Sequence, residues 1–392
     1  MKLIKTTIKG TNDFLPEEQA LREYILNKIK EVYSGFGYSL IETPCIEHIE
    51  NLLGKQGGEN EKLIFKILKR GEKLNNITDI SQAADSGLRY DLTLPLARYF
   101  ANNAENLPSP FKALQIGNVW RADRPQKGRF RQFMQCDIDI LGDDTSLAET
   151  DLLLASATLL KALGFNDFSI RINDRKLLKQ TAESCNIPED KISDSFIILD
   201  KFDKIGTNGV IKELETLGLT AAEAQNYINA VLNSKPGKDI ENIIENIKAS
   251  GATGFNIVYD PTLVRGMGYY TGCIFEITME ELGLSVAGGG RYDEMIGKFG
   301  SAPTPACGFS IGFERIYTIL KDRGFTPNLK NKNICFLIDK KADKKNVALA
   351  FNEAENLRKN GARVMVTKKN KNTRFQKEKL NNLGFTEFKE IF

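Results

Sequence analysis

Histidine is almost missing from this chain: of 392 residues, one, His48, carries an imidazole. A multi-histidine metal centre is therefore excluded, and a Ser-His-Asp triad would have to rest on His48 alone. His48 sits in the alternating stretch Pro44-Cys45-Ile46-Glu47-His48-Ile49 and is expected to face solvent, so the chemistry here is expected to run without imidazole. Paired cysteines are missing too. Cys45, Cys136, Cys185, Cys273, Cys307 and Cys335 lie far apart with no CxxC, which argues against a disulfide framework or zinc site. Small core residues in a reducing, cytoplasmic setting are the expectation. No apolar run is long enough to span a bilayer, and Met1 to Gly10 lacks the apolar centre of a signal peptide. Neither a Walker loop nor a GxGxxG fingerprint after a strand occurs, so ordinary P-loop and Rossmann nucleotide sites are not supported. No internal repeat or low-complexity block is evident.

What is present is a soluble, globular balance, 41% hydrophobic and 27% charged, in a chain too long for one ordinary core. The net charge of +3 conceals an asymmetry. Asn331 to Phe392 holds 15 Lys+Arg against 7 Asp+Glu, or +8, which leaves −5 for the remainder. A basic tail on a mildly acidic body suggests a polyanionic partner; a lysine-rich solvated surface is the plain alternative.

Periodicity places the elements. Pro16 suits the first turn of a helix whose stripe is Leu21, Ile25, Ile29 and Val32, ended by Gly35 and Gly37. A strand-like run follows to Pro44, then a helix over Tyr90 to Asn102. Ala113 to Trp120 and Gln132 to Leu141 are β-rich, a long helix runs from Leu147 to Gly164, and Phe168 to Ile172 alternates as a strand. From Asp174 to Ser250 helical patterns dominate. Strands return at Ile257 to Tyr259 and Cys273 to Thr278. After the polar linker Asn328 to Lys332 comes a βαβ unit, Ile334–Ile338, Lys344–Lys359 and Arg363–Thr367, with a short helical end.

Four segments carry chemistry. Arg121-Ala122-Asp123-Arg124-Pro125-Gln126-Lys127-Gly128-Arg129-Phe130-Arg131 is the densest basic cluster and joins two strands. Five cations in a hairpin repel one another unless an anion faces them, and guanidinium forks suit phosphate; phosphate or RNA binding is preferred over a solvated tip. On the following strand Gln135, Asp137 and Asp139 share one face while Met134, Cys136, Ile138 and Ile140 share the other. That polar face could meet water, or bind a cationic or amino substrate. Leu263 to Gly272 and Ala287 to Asp293 mix glycine, arginine and tyrosine, as close-approach backbone and flat walls for a ligand would require. Gly308 to Arg315 runs from a strand into a helix.

In this order the segments resemble the class II aminoacyl-tRNA synthetases. Arg121 to Gln135 is similar to motif 2, Gly308 to Arg315 to motif 3, and Pro44 to the motif 1 proline of the dimer interface. Leu263 to Glu276 and Ala287 to Asp293 resemble the two segments peculiar to histidyl-tRNA synthetases, and Leu88-Arg89-Tyr90-Asp91-Leu92-Thr93 resembles the segment that grips the histidine amino group. The resemblance covers Gly10 to about Leu320. It implies an α+β fold: a class II core with an antiparallel sheet flanked by helices, a helical insertion and a small C-terminal α/β domain. The expected domains are 1–173 and 253–325 for the two parts of the core, 174–252 for the insertion and 331–392 for a short tail like the start of an anticodon-binding domain.

The resemblance also implies roles. Arg265, Arg121 and Arg315 would be catalytic; Arg121, Asp123, Arg129 and Arg315 would bind ATP, with Mg²⁺ arriving on the pyrophosphate. Asp91, Leu92, Thr93, Gln135, Asp139, Tyr269, Tyr270 and Tyr292 would surround histidine. Gln126, Lys127 and Arg129 would touch the acceptor end of tRNA(His), and a cytoplasmic homodimer is implied. Gly268 stands where many members have aspartate, Glu294 where glycine is usual, and the tail is short. Shortness is also a trait of a related non-catalytic protein, the regulatory subunit of ATP phosphoribosyltransferase. That protein often loses the arginines that are all retained here, which favours the ligase.

Overall fold

The computed structural model describes residues 3–54, 60–75, 77, 79, 82–126, 128–266, 268–279, 284–327 and 333–392. By compactness the chain forms two units, Met1–Asn12 with Leu26–Ile319, and Asp13–Ile25 with Leu320–Phe392. In chain order the elements run α1 (Pro16–Gly35), β1 (Ser39–Ile41), β2 (Ile46–His48), α2 (Ile49–Leu52), β3 (Lys66–Leu68), α3 (Glu72–Asn75), β4 (Ala84–Leu88) and α4 (Thr93–Asn103). They continue with β5 (Phe111–Trp120), β6 (Gln132–Leu141), α5 (Leu147–Ala162), β7 (Phe168–Asp174), α6 (Arg175–Ser184), α7 (Glu189–Leu199), α8 (Phe202–Thr216), α9 (Ala221–Leu232) and α10 (Lys238–Ala249). Then come β8 (Phe255–Tyr259), β9 (Cys273–Met279), β10 (Leu284–Arg291), β11 (Ala306–Gly312) and α11 (Phe313–Asp322), followed by β12 (Asn333–Ile338), α12 (Lys344–Lys359), β13 (Arg363–Lys368), α13 (Thr373–Asn382) and β14 (Glu387–Ile391).

The alternation in β6 sets the architecture of the larger unit. β6 lies inside an eight-stranded sheet of order β1-β5-β6-β11-β10-β9-β7-β8, antiparallel except where β1 pairs β5 and β8 pairs β7. The apolar face of β6, Cys136, Ile138 and Ile140, is fully covered. α5 packs over β6 and β11, and α10 packs beside α5 against β7 and β8. α5 presents Leu152, Leu153, Ala155, Leu159 and Leu160, all buried, and α10 adds Ile240, Ile243 and Ile247 on one stripe. Between α5 and α10 in the chain, α6 to α9 wrap a core of their own around Leu199, Leu214, Tyr227 and Ile228. This is the antiparallel, helix-flanked sheet that the class II resemblance implies. The C-terminal part of the smaller unit is a parallel three-stranded sheet, β13-β12-β14.

Several expectations are corrected in detail. The helix expected from Tyr90 starts at Thr93, because the Asp91 carboxylate accepts the Leu94 N–H at 3.1 Å and caps the first turn. The end of the tail is not only helical: Glu387–Ile391 forms a third strand beside β12, a short run whose Lys and Glu mask its period. The small sheet β2-β4-β3 was missed, since Ala84-Asp85-Ser86-Gly87-Leu88 has no strand propensity and is held by its neighbours. Cys45 is exposed, whereas the other five cysteines are buried as expected; none is bonded to another. His48 is exposed. The linker Asn328 to Lys332 lies outside the described residues. Among the described residues no helix is long and apolar enough to cross a membrane.

One buried ion pair ties the glycine-rich strand to the covering helix. Arg291, at the end of β10, donates to Glu149 in the first turn of α5 through Nε (2.7 Å) and Nη2 (2.8 Å). The Asp143 and Thr145 carbonyls, at 2.9 and 3.0 Å, and Asp293 Oδ1, at 3.3 Å, accept the remaining donors. Removing one partner would strand a buried charge. Glu149→Ala is therefore expected to lower unfolding free energy by about 3–5 kcal/mol, read by urea denaturation; a loss below about 1 kcal/mol would show the pair to be dispensable.

Candidate active site

The other face of the sheet carries the polar residues that alternation predicts, and strand register gathers them into a row. Arg171 of β7 pairs Glu276 of β9, which pairs Gly288 of β10, then Ser310 of β11, Asp137 of β6 and Gln115 of β5. The row beside it includes Gly290, Gly308 and Asp139. Glycine leaves room on this face for the side chains of the site. A Cβ on Gly308 would lie 1.9 Å from an Asp139 oxygen, and one on Gly288 would lie 2.6 Å from the Arg265 guanidinium. The result is a cleft of about 460 Å³.

Its floor is acidic. Asp91, Asp137 and Asp139 are all buried, and Asp137 Oδ1, Asp139 Oδ2 and Gln135 Oε1 have no hydrogen-bond donor among the described residues. Asp139 Oδ1 accepts from the Tyr292 hydroxyl at 2.6 Å, and the Gln135 amide donates to Ser310 Oγ at 3.0 Å. Burial pushes the Asp139 carboxyl up to about 7, against the Tyr292 hydrogen bond and with help from Asp91. Burial and the neighbouring Asp139 push Asp137 well above the carboxylate range, and burial raises Asp91 too. Buried acceptors without donors are costly, so this floor suits a ligand rich in N–H groups and positive charge. Tyr269, Tyr270 and Tyr292 form an aromatic wall, with ring centroids 4.8 Å apart for Tyr269 and Tyr270 and an edge contact at 6.1 Å for Tyr269 and Tyr292.

The rest of the cleft carries cations. Arg121 stacks on Tyr90, 4.2 Å from its centroid, and Phe133 lies 5.1 Å away; its Nε donates to the Tyr90 carbonyl at 3.1 Å. Arg315 Nη1 donates to the Ser285 carbonyl. Burial, then Arg129 and Arg265, hold the Arg315 guanidinium below its usual pKa, with Glu276 opposing them. Arg265 donates from Nη1 to Glu276 at 2.6 Å, and its buried Nε has no partner. Burial opposes the Arg265 charge, but Tyr270, Glu276 and Asp200 outweigh it and raise its pKa. Three guanidinium groups lining one cleft are what a polyphosphate would neutralise.

Twelve of the residues expected from sequence line this cleft: Asp91, Thr93, Arg121, Asp123, Arg129, Gln135, Asp139, Arg265, Tyr269, Tyr270, Tyr292 and Arg315. Leu92 does not; it is buried in the core and its carbonyl accepts from Gln115 Nε2 at 3.0 Å. Gln126 stays on the hairpin, bridged to Arg129, and Lys127 lies outside the described residues. The structure adds Tyr90, Asp137, Glu276 and Ser310 to the cleft. Asp137 was visible as the middle member of the polar face, while Ser310 becomes visible only once β11 is known to pair with β6.

The profile of the family described as histidyl-tRNA synthetase matches residues 10–316. A histidine–tRNA ligase from Leifsonia xyli subsp. xyli is 45% identical over 81% of this chain and 80% of its own. Another from Christiangramia forsetii is 39% identical over 83% and 78%. The crystal structure of histidyl-tRNA synthetase from Nostoc sp. PCC 7120 superposes with a TM-score of 0.78 at 27% identity, covering 98% of this chain and 90% of that one. A Bacillus halodurans structure described as an ATP phosphoribosyltransferase regulatory subunit/histidyl-tRNA synthetase has a TM-score of 0.79 at 22% identity, over 100% and 99%, and shares the fold.

The acidic floor makes a prediction about pH. The folded state holds protons on Asp139 up to about pH 7 that the unfolded chain releases near 3.8. Stability is therefore free of this penalty below the unfolded value and falls as pH rises from about 4 to about 7. Asp139→Asn removes the penalty. It is expected to raise the ligand-free stability at pH 8, by up to about 4 kcal/mol, and the melting temperature with it, and to change both little at pH 4. Equal shifts at both pH values in thermal denaturation would contradict the assignment.

Proposed function

Because the chain belongs to the histidyl-tRNA synthetase family, we propose that histidine binds on the acidic floor of the cleft and ATP against its arginines. The activity is that of an aminoacyl-tRNA ligase: histidine is activated with ATP and transferred to the 3′ end of tRNA(His). The curated relatives favour this over a non-catalytic regulatory subunit. The observation that carries the substrate assignment is the set of buried acceptors without donors, Gln135 Oε1, Asp137 Oδ1 and Asp139 Oδ2. Histidine brings an ammonium with three donors, an imidazole N–H and a flat ring for the wall of Tyr269, Tyr270 and Tyr292. Asp91 and Thr93 belong to the same pocket.

The first half-reaction needs no general base. A histidine carboxylate oxygen bonds to the α-phosphorus as the bond to pyrophosphate breaks, and that carboxylate is already ionised at neutral pH. What the step needs is alignment and positive charge on the phosphoryl oxygens. Arg265 faces the α-phosphate, Arg121 and Arg315 hold the remaining phosphates, Arg129 assists, and Asp123 stands on the adenine side. No group of three or more potential ligands among the described residues could hold a metal. An Mg²⁺ carried by ATP would take most of its oxygens from phosphate and water, with Glu314 the lining carboxylate beside Arg315. In the second half-reaction the terminal ribose hydroxyl attacks the activated carbonyl carbon and AMP leaves. Gln126 and Arg129 on the hairpin, with Lys127 next in sequence to Gln126, meet the acceptor end.

The C-terminal sheet supplies the basic surface for tRNA. Glu390 engages Lys369 and Lys377, whereas Lys368, Lys371, Arg374 and Lys379 are exposed. We assign the protein to the cytoplasm, supported by its unbonded cysteines, and expect a homodimer from the family.

Histidine-dependent ATP–pyrophosphate exchange tests the assignment. The wild-type protein is expected to catalyse it, and Arg265→Ala to slow it by about 100-fold, the cost of one preorganised group of about 3 kcal/mol. Near-normal exchange by the variant would remove Arg265 from the chemistry, and histidine binding without exchange by the wild type would point to a regulator. For the tail, replacing Lys371, Arg374 and Lys379 together by alanine is expected to weaken tRNA binding and flatten its salt dependence while exchange stays normal. An unchanged salt slope would place the tRNA elsewhere.

A further inference from the structure

The guanidinium of Arg265 is placed by residues that stand behind it. Its Nη1 donates to Glu276 Oε2 at 2.6 Å, and the group lies against Gly288. The other Glu276 oxygen faces Arg171 Nη1 at 3.8 Å. Arg171 is itself held from two sides, through Nε by Asp260 and through Nη1 by Asp203 at 2.6 Å. Asp203 belongs to the first turn of α8, within the helical segment between β7 and β8. The main chain next to Arg265 is fixed to that region as well. Val264 packs into the core of α6 to α9, Asn173 Nδ2 donates to the Leu263 carbonyl at 3.0 Å, and Arg175 Nη1 donates to the Arg265 carbonyl at 3.1 Å.

We propose that Glu276 is a positioning residue for Arg265, and that Arg171 with Asp203 braces it from the helical segment. The inference rests on the role given to Arg265 above. An arginine side chain keeps much of its rotamer freedom unless its fork is docked, and a carboxylate held on one oxygen alone can swing with it. Register removes that freedom: Arg171, Glu276 and Gly288 sit side by side on β7, β9 and β10. Gly288 leaves the slot, Glu276 orients the fork, and Arg171 fixes the Glu276 carboxylate. Stability is a poor account of the outer link, because the Asp203 side chain is 64% exposed and surface pairs contribute little. Its consequence is geometric, and misplacement of a cation by about an ångström is enough to slow a phosphoryl transfer by orders of magnitude.

A double-mutant cycle separates positioning from structure. Single-turnover pyrophosphate release is measured for the wild type, Arg265→Ala, Glu276→Gln and the double variant, with histidine affinity by calorimetry. Glu276→Gln is expected to slow release about tenfold or more while histidine affinity holds within about twofold. The double variant is expected to be no slower than Arg265→Ala, because Glu276 acts through Arg265. Losses that multiply, or a wild-type rate for Glu276→Gln, overturn the proposal and leave the Arg265 assignment standing. A wild-type rate for Arg265→Ala overturns that assignment and the proposal with it. If Glu276→Gln does not fold, Asp203→Asn carries the same cycle at an exposed position. A slower rate that vanishes as a separate effect in the Arg265→Ala background supports the brace, and an unchanged rate overturns it.

Discussion

The larger unit is organised around three buried carboxyl groups, Asp91, Asp137 and Asp139, with which no cation forms an ion pair among the described residues. Taking carboxylates out of water is expensive, and proteins ordinarily repay it with a paired cation or a full set of donors. Here the repayment is partial. Tyr292 donates to Asp139 and the Leu94 N–H to Asp91, while one oxygen of Asp137 and one of Asp139 are left over. Such a site holds only if the surrounding structure over-determines it. The opposite face of the sheet does this, with Cys136, Ile138 and Ile140 sealed beneath α5. The same β6 thus anchors the core on one face and withholds compensation on the other, which is how stability is exchanged for readiness to bind.

Glycine is the second half of that constraint. A polar sheet face fills with its own side chains unless some strands carry none, and β10 and β11 supply Gly288, Gly290, Gly308 and Gly312 in register with the acidic strand. The runs therefore belong inside strands and not in turns between them. This explains why they read ambiguously in one dimension: glycine argues against strand by propensity, and only the pairing partners reveal that its purpose is vacancy.

The core and the site were readable in the sequence to different depths. β6 was placed to the residue because its period-two alternation is long and both faces are extreme in polarity. α1 was bounded correctly by Pro16 and Gly35 for equally local reasons. β4 and β14 were missed because neighbours, not their own residues, make them strands. The site followed the same rule. Arginines and tyrosines in short motifs were found, whereas Ser310 and the Arg171–Glu276 link depend on which strand lies beside which. Leu92 shows the opposite case: inside the segment expected to grip the ligand it is buried in the core, while its neighbours on either side, Asp91 and Thr93, line the cleft.

Arginine content alone does not separate chemistry from scaffolding, and the structure shows what does. Arg291 stands in a glycine-rich motif as suggestive as that of Arg265, yet its donors are taken by Glu149, Asp293 and two carbonyls, and it lies outside the cleft. Arg89, inside the segment that resembles the histidine-gripping one, is likewise consumed by the Asn118 and Thr43 carbonyls and the Thr43 hydroxyl. Arg121 is treated differently: aromatic rings orient it without using its N–H groups, and one Nε bond sets its plane. Arg265 keeps a buried Nε without a partner. A guanidinium whose donors are satisfied internally can only hold the fold together. One that is oriented by stacking, or by a single carboxylate behind it, retains donors for an incoming anion, and that is the preorganisation on which electrostatic catalysis depends.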